Sequence, residues 1–356
     1  MRVVLFALVI MTMALGACTP KATPTATPTV PAATAVPATA APTAAPTPVP
    51  PACTPLANPP VAKAGELGSA DNPIVITFVP SGDSGKITKA GNAIADCLNK
   101  MTGLSFKIEV GTSFGASIEA MGAGKAQVGF LNTFSILIAE AKYQIIPAMI
   151  NLRNYQTNDL DSDKALGNQL EPFYKAQFIT TATSGIKTYA DLKGKTFCFV
   201  DPLSTSGYIV PRIILKANGI DPDKDFASTT NAGSHQNVAS SVYKGDCDAG
   251  VTFINVLTDA TLNKTYPDIQ TKLVVFADSD RIPNDGVQYI KTLDPKIQAI
   301  TTEALLAMAK DPGGKVVLAK LYTINAFQKL DPSMTYYADF QKVLQKAGVD
   351  PTTMVK

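Results

Sequence analysis

The sequence predicts an α/β protein with two mainly parallel sheets, each flanked by helices, which face each other across a cleft. Strand-like and helix-like segments alternate along the chain, and this alternation starts a second time after about residue 180. Such alternation is typical of parallel sheets, whose ligands bind beyond the carboxyl ends of the strands. Two further segments connect the halves as hinge strands, and ligand sites are often found between domains joined in this way.

The chain divides into five predicted parts. Residues 1–17 are expected to form a signal peptide, and residues 18–70 a tether that begins with a lipidated cysteine. Residues 71–180 form a first lobe and residues 181–282 a second lobe. Residues 283–356 return through a hinge strand to C-terminal helices that lie mostly on the first lobe.

The amino terminus is typical of an exported protein. A basic start at Arg2 precedes an apolar stretch from Val3 to Leu15, which is too short to span a bilayer but suits the core of a secretory signal. Two small residues then precede Cys18, as in a bacterial lipobox. Cleavage before Cys18 and lipidation of this residue are therefore expected. An ordinary secretory leader with an incidental cysteine is the alternative, and it implies export as well.

The segment after Cys18 is expected to be an extended tether. Residues 19–60 are almost entirely Thr, Pro and Ala and contain half of the 26 prolines, so no apolar core can form. Whether this segment carries O-linked sugars is left open. The formal net charge of the whole chain is +2, with both signs interspersed, so a nucleic-acid partner is not expected.

The cysteines predict disulfides and no metal site. After Cys18 is assigned to the lipid, four of the five cysteines remain, and in an exported protein an even number is compatible with two disulfides. Their pairing stays open, although Cys198 and Cys247 both lie beside predicted strands of the second lobe and are the favoured pair. The single histidine, His235, cannot supply a multi-histidine metal site, and no cofactor motif is present.

Polar residues follow each predicted strand of the first lobe. The strands lie at residues 73–79, 105–110 and 127–131, and each is followed by a loop and a helix with apolar residues at helical spacing. Because the carboxyl ends of parallel strands meet at one edge, these loops are expected to share a rim. The candidate ligand-binding residues on this rim are Ser81, Phe114, Asn132 and Thr133, and the last two also begin a helix.

The second lobe repeats the arrangement. An apolar strand at residues 195–200 leads to the hydroxyl turn, which we define as Ser204, Thr205 and Ser206, and then to a helix that ends near Gly219. Later loops of the same rim contain His235 and Asn255. A single long strand is expected at residues 173–179, and the last sixty residues are expected to be helical.

The hydroxyl turn has the chemistry of an oxyanion site. Its side chains can converge with the unpaired N–H groups of the first helical turn and with the positive end of the helix dipole. The alternative is a helix cap with no ligand. Because this turn carries no cation, the number of hydrogen bonds and the size of the anion would set its selectivity.

Five segments, taken in order, carry a family resemblance: Ile118-Glu-Ala-Met121, Leu192-Lys-Gly-Lys195, Asp201-Pro-Leu-Ser-Thr-Ser-Gly-Tyr208, Asn231-Ala-Gly-Ser-His235 and Ile282-Pro-Asn-Asp285. From about residue 73 to residue 350 the chain resembles the phosphonate, phosphite and phosphate substrate-binding proteins of ABC importers. The resemblance implies a two-lobed fold of the type II periplasmic-binding class. It also implies that the hydroxyl turn grips the phosphorus-bound oxygens and that Asp285 contacts a protonated ligand oxygen or an ammonium from the other side.

Three positions depart from the family members that bind aminoethylphosphonate. Those members have tyrosines at the positions of Phe114 and Leu131 and a glutamate near Asn255. Without that carboxylate and those hydroxyls, aminoethylphosphonate is not favoured. A smaller or differently substituted phosphonate, phosphite and phosphate all remain candidate ligands.

The resemblance, together with the lipobox before Cys18, predicts a lipoprotein receptor on the outer face of the bacterial cytoplasmic membrane, or in the periplasm. It would act as a monomer that captures its ligand by hinge closure and then docks on a membrane ABC permease. A surface ligand sensor is the main alternative. An enzyme on the same two-lobed fold is less favoured, because no Gly-x-Ser-x-Gly elbow and no second histidine are present.

Overall fold

The computed structural model of the protein describes residues 53–331 and 333–353. The predicted signal peptide, the lipidation site Cys18 and most of the tether lie outside the described residues. Within the described part of the chain, no helix is long and apolar enough to cross a membrane.

The described residues form strands in the following order: β1 (Ile74–Phe78), β2 (Phe106–Val110), β3 (Val128–Phe130), β4 (Ile146–Asn154), β5 (Leu170–Glu171), β6 (Phe173–Tyr174), β7 (Ala176–Thr181), β8 (Thr196–Phe199), β9 (Ser228–Asn231), β10 (Ala249–Phe253), β11 (Leu273–Asp278), β12 (Ile282–Pro283), β13 (Gly286–Tyr289) and β14 (Ala326–Lys329).

The α-helices among them are α1 (Ser84–Thr102), α2 (Phe114–Gly122), α3 (Thr133–Tyr143), α4 (Val210–Ala217), α5 (His235–Lys244), α6 (Ala260–Thr265), α7 (Ile269–Lys272), α8 (Pro295–Met308), α9 (Pro312–Ala319) and α10 (Tyr336–Lys346). Short 3-10 turns and one π-helical turn, Thr205–Ile209, lie between them.

Two sheets form the two lobes. The first has the strand order β14-β4-β13-β3-β1-β2, with β5 beside β4, and the second has the order β11-β7-β10-β8-β9. The strands of the predicted βαβ units are parallel: β1 pairs with β2 and β3, and β8 pairs with β9 and β10. The predicted α/β class is confirmed. Both sheets are mixed, because β7 and β13, which follow the crossings between the lobes, are antiparallel to their neighbours.

The chain crosses between the lobes at a short two-stranded ribbon of β6 and β12. The segment predicted as one strand is interrupted at Lys175, whose Nζ atom pairs with Asp161 and Asp163 at 2.8 Å each. On the far side of Lys175, strand β7 pairs in the second sheet. The second sheet therefore begins at Ala176, five residues before the boundary that we predicted from the sequence, since hydrophobicity alone does not reveal a change of sheet.

The helices follow their sequence signals closely. Asp83 caps α1 by accepting the amide hydrogen of Lys86 at 2.7 Å, and Gly103 ends it with a φ of 70°, which glycine adopts without strain. In the C-terminal part, α8 and α9 pack against α1 of the first lobe. The predicted all-helical C-terminus is wrong in one respect, because the chain adds β14 at the edge of the first sheet.

The part of the chain that the structure describes contains two disulfides. The favoured pair, Cys198 with Cys247, is confirmed, with a Cα–Cα distance of 5.9 Å, and it joins β8 to the turn before β10. Cys53 is bonded to Cys97 of α1, with a Cα–Cα distance of 5.5 Å, and Leu56 donates its amide hydrogen to Met101. The last part of the predicted tether, from Cys53 onward, therefore lies against the first lobe.

Candidate functional site

The hydroxyl turn is a tight corner between β8 and α4. Ser204 donates its amide hydrogen to the carbonyl of Asp201 at 2.8 Å, and its Oγ accepts the amide hydrogen of Gly207 at 3.1 Å. A Cβ at Gly207 would lie 2.3 Å from a methyl carbon of Val200, so only glycine lets the turn fold back on the strand. Instead of entering an α-helix directly, the chain makes a π-helical turn before α4. All three hydroxyl residues are buried.

A cavity of about 390 Å³ lies between the two lobes beside this turn. Most of the predicted site residues line it: Ser81, Phe114, Asn132, Ser204, Thr205, Ser206, His235, Asn255 and Asp285. Thr133 is the exception. Its hydroxyl is buried and donates to the carbonyl of Pro283 at 2.6 Å, so it braces the hinge strand β12 and does not line the cavity.

Thr205 connects the lobes directly. Its Oγ1 accepts two hydrogen bonds from the first lobe, one from Asn132 Nδ2 at 2.9 Å and one from the amide of Phe134 at 2.9 Å. Asn132 Nδ2 also donates to the carbonyl of Leu203 at 3.0 Å. The side chain of Asn132 therefore does not cap α3, although it precedes that helix; it reaches across the cleft. Because both lone pairs of Thr205 Oγ1 are used, its hydroxyl can otherwise act only as a donor, and the hydroxyl of Tyr174 lies beside it.

His235 is a neutral, buried side chain at the start of α5. Its Nδ1 accepts the amide hydrogen of Phe253 at 3.0 Å, and its main-chain N–H donates to the carbonyl of Ser81 in the other lobe at 3.3 Å. Burial lowers the pKa of the imidazole to about 3. With Nδ1 as the acceptor, the proton must lie on Nε2, so His235 can act as a hydrogen-bond donor.

Asp285 is already paired within the protein. Its Oδ1 accepts a hydrogen bond from Arg153 Nη2 at 2.5 Å, and its Oδ2 accepts one from Asn151 Nδ2 at 3.2 Å. Arg153 Nη1 also donates to Asn284 Oδ1 at 3.0 Å. Arg153 lines the cavity, so the cleft contains a cation although the hydroxyl turn itself carries none.

Arg153 is not among the residues predicted from the sequence, because β4 was not predicted as a strand. An apolar run from Ile146 to Leu152 directly precedes Arg153 and was the available signal. The same omission hid Tyr155, which follows β4 and lines the cavity together with Tyr174 and Tyr322. Burial, opposed by the neighbouring Ser206 hydroxyl, raises the pKa of Tyr174 to about 12, so it stays protonated and can donate.

Of the three positions that differ from aminoethylphosphonate binders, not all lie in the cavity lining. Phe114 lines the cavity, whereas Leu131 is fully buried and does not. Asn255 adopts a left-handed conformation with a φ of 74°, and its Nδ2 donates to Gln156 Oε1 at 3.2 Å. Its side chain supplies no negative charge.

Each carboxylate that lines the cavity has a partner. Asp83 accepts the amide of Lys86, Asp259 pairs with the side chain of Lys86 at 3.2 Å, and Asp285 pairs with Arg153. Among the described residues, no group of three or more His, Cys, Asp or Glu side chains could hold a metal ion. Among the described lining residues, the cavity therefore presents hydroxyl, amide, imidazole and cationic donors, and no carboxylate without a partner.

Comparison with known proteins identifies the family. Residues 76–335 match the family described as "ABC transporter, phosphonate, periplasmic substrate-binding protein". The chain is 26% identical over 239 residues to the "Phosphate-import protein PhnD" of Mycolicibacterium smegmatis, an alignment that covers 62% of this chain and 70% of that protein. It is 30% identical over 154 residues to the "Phosphonates-binding periplasmic protein" of Escherichia coli, covering 42% and 45% of the two chains.

Solved structures show the same fold. A binding protein component of an ABC phosphonate transporter from Pseudomonas aeruginosa aligns with a TM-score of 0.65 at 21% identity, covering 80% of this chain and 90% of that one. PhnD1 from Prochlorococcus marinus, in complex with methylphosphonate, aligns with a TM-score of 0.63 at 17% identity, covering 77% and 98%. The two-lobed architecture, the cleft and the family match lead to one conclusion: the chain belongs to the phosphonate periplasmic substrate-binding protein family of ABC transporters.

Proposed function

We propose that this protein captures a phosphorus oxyanion at the hydroxyl turn, between its two lobes, and delivers it to an ABC permease. The observation that carries the proposal is the burial of Ser204, Thr205 and Ser206 at the start of a helical segment, inside a cavity lined by both lobes. At such a helix start, main-chain N–H groups have no carbonyl partner within the helix, so they can bind an anion together with the hydroxyls.

Ligand capture and closure would be linked through Thr205. Its oxygen accepts hydrogen bonds from the first lobe. We propose that its proton, which lies beside Tyr174, is donated to the ligand once the ligand occupies the cavity. The ligand therefore meets a complete set of donors only when the lobes are together. Exclusion of water from the closed cavity would strengthen each of these hydrogen bonds.

The lining of the cavity favours a ligand without an amine. Asn255 has no charge, and the three lining carboxylates are engaged with protein partners. Phe114 lacks the hydroxyl that aminoethylphosphonate binders place there. Phosphate, phosphite or a phosphonate with an uncharged substituent is therefore the proposed ligand. Nothing in this cavity requires catalysis, and we propose no reaction.

The lipid anchor also remains a proposal. Lipidation at Cys18, followed by the Pro-rich segment up to Cys53, would hold a monomeric binding domain at the outer face of the membrane where the permease lies. The disulfide of Cys53 with Cys97 fixes the end of that tether to the first lobe.

A thermal-shift screen of the purified protein tests the proposed ligand class. The probes are phosphate, phosphite, methylphosphonate, aminoethylphosphonate and sulfate. A ligand present at one hundred times its Kd stabilises the folded protein by about 2.7 kcal/mol, which raises the melting temperature. We expect such a rise with at least one of the first three probes and a smaller one with aminoethylphosphonate. If no phosphorus oxyanion raises the melting temperature, the proposed function is wrong.

A further inference from the structure

Arg153 and Asp285 form an ion pair on the wall of the cavity. They lie on neighbouring strands, since Asn151 of β4 donates its amide hydrogen to the carbonyl of Asp285 just before β13 at 2.9 Å. The side chains meet at 2.5 Å, and only 16% of Arg153 and 14% of Asp285 is exposed. Asn151 and Asn284 add hydrogen bonds to the pair, so its geometry is held from both strands.

The pair lies close to the hydroxyl turn. The guanidinium carbon of Arg153 is 6.0 Å from the centre of the Tyr174 ring, and the hydroxyl of Tyr174 lies beside Ser206. A ligand oxyanion held by the turn would therefore sense the charge of the pair across a partly buried space, where charges are weakly screened.

An unpaired Asp285 would repel a ligand that carries two negative charges. The ligand would then have to keep one proton, or Asp285 would have to take one up. Arginine remains charged at every pH at which the protein is folded, so the Arg153 pair has no net charge. Because the pair is neutral, it does not repel a doubly charged ligand, and the ligand does not need to keep a proton in order to bind.

The surrounding groups do not supply a competing titration. The charged and titratable groups near the pair and in the cavity are Glu171, Tyr155, Tyr174, Tyr322, Tyr337, His235, Asp83, Lys86, Asp259 and Lys320. Burial raises the pKa of each of the four tyrosines, and burial lowers the pKa of His235 to about 3. These five groups therefore stay neutral from about pH 6 to pH 8.5, a range in which a phosphoryl group loses its second proton.

We propose that Arg153 determines which charge state of the ligand this protein accepts: by neutralising Asp285, it allows the cleft to bind a phosphorus oxyanion as its dianion. This inference rests on the proposed function of the same site. It predicts that an oxyanion binds without taking up a proton, although a carboxylate lines the cavity.

Calorimetric titration of the full protein with methylphosphonate, from about pH 6 to pH 8.5, tests the inference. Repeating each titration in buffers of different ionisation enthalpy gives the number of protons taken up. For the wild-type protein we expect the association constant to stay level or rise with pH, with no proton uptake. In Arg153→Gln the unpaired Asp285 should cause the uptake of one proton, and the association constant should fall by up to about tenfold per pH unit.

Two variants separate charge from packing. Arg153→Lys keeps the positive charge and should retain the wild-type pH profile, even if its absolute affinity is lower. Arg153→Gln combined with Asp285→Asn removes both charges and should also lose the proton uptake. Circular dichroism verifies that each variant is folded.

The result that would overturn the inference is proton uptake by the wild-type protein, or an unchanged pH profile in Arg153→Gln. If Arg153→Gln does not fold, Asp285→Asn decides: its association constant should still rise or stay level with pH, and a fall would contradict the inference. If the wild-type protein binds none of methylphosphonate, phosphite and phosphate at any pH, the proposed function is wrong, and so is this inference. Binding with the wrong proton linkage refutes the inference alone.

Discussion

Thr205 has two roles that a sequence pattern cannot distinguish. As part of a Ser-Thr-Ser run it resembles a helix cap, yet its oxygen accepts hydrogen bonds from Asn132 and Phe134 of the opposite lobe. These donors lie more than seventy residues away along the chain. The residue therefore belongs both to the proposed ligand site and to the contact between the lobes.

The Thr205→Val substitution should weaken ligand binding by about 2–4 kcal/mol. Valine has nearly the same shape, but it leaves the amide of Phe134 and one Asn132 N–H without their acceptor when the lobes meet. It also removes the donor to the ligand. Titration calorimetry with the ligand found in the thermal-shift screen measures the loss.

Thr205→Ser is the matched control, because serine keeps the hydroxyl and removes only a methyl group. It should bind within about 1 kcal/mol of the wild type. Equal affinity of the valine variant and the wild-type protein would mean that the hydroxyl contributes neither to closure nor to ligand binding.

At the scale of elements, the second lobe is fastened by the disulfide of Cys198 with Cys247. This bond links β8, which leads into the hydroxyl turn, to the turn before β10, across a separation of 49 residues. The strands themselves share only a short parallel pairing, Ala249 with Phe197 and Gly250 with Cys198. The disulfide therefore helps to hold β8, the strand that leads into the hydroxyl turn, in its position.

Replacing both Cys198 and Cys247 by alanine should lower the free energy of unfolding by about 4 kcal/mol, as expected for a cross-link that closes a loop of this length. Urea unfolding of the oxidised wild type and of the variant measures the difference. The variant for comparison has both Cys53 and Cys97 replaced by alanine. These cysteines are separated by 44 residues, so their cross-link lowers the entropy of the unfolded chain by nearly the same amount.

We expect the loss for the Cys53 and Cys97 variant to be smaller. Without its disulfide, the segment that begins at Cys53 can detach locally while the two sheets remain intact. Equal losses in both variants would show that this segment is held as firmly as the strands of the second lobe.

Across the whole molecule, the ion pair of Lys86 with Asp259 joins the two lobes at the cavity. Lys86 lies on α1 of the first lobe and Asp259 caps α6 of the second, with a separation of 3.2 Å. The two side chains are 43% and 23% exposed, so the pair contributes at most about 1 kcal/mol to closure.

Lys86→Met should therefore weaken ligand binding by up to about 1 kcal/mol at low salt, and the difference should shrink as salt screens the pair. Calorimetry at two salt concentrations measures it. Asp259→Asn keeps a capping side chain and should have a similar effect. An effect of Lys86→Met alone would instead indicate a direct contact of Lys86 with the ligand.

Lys142→Met provides the control for a general effect of surface charge. Lys142 pairs with Glu119 at 3.0 Å, but both residues lie within the first lobe. Its loss should leave ligand affinity unchanged at either salt concentration.

The sequence alone predicted the βα units and the hydroxyl turn. These features depend on local causes, which are apolar periodicity and the passage from an apolar strand to a helix that ends near Gly219. The favoured pairing of Cys198 with Cys247 followed from their shared lobe and was confirmed. The family match bears out the family assignment that rested on the order of the motifs.

Only the tertiary structure decided how the two walls of the cleft are charged and held together. β4 lies between two antiparallel partners in the first sheet, and this placement brings Arg153 to Asp285 across 132 residues of sequence. Likewise, the structure places the Thr133 hydroxyl against the hinge strand β12 and not in the cavity. It also places the Thr205 oxygen next to hydrogen-bond donors of the other lobe. Such pairings depend on strand order and lobe closure, which bring distant residues together, so local sequence patterns carry no signal for them.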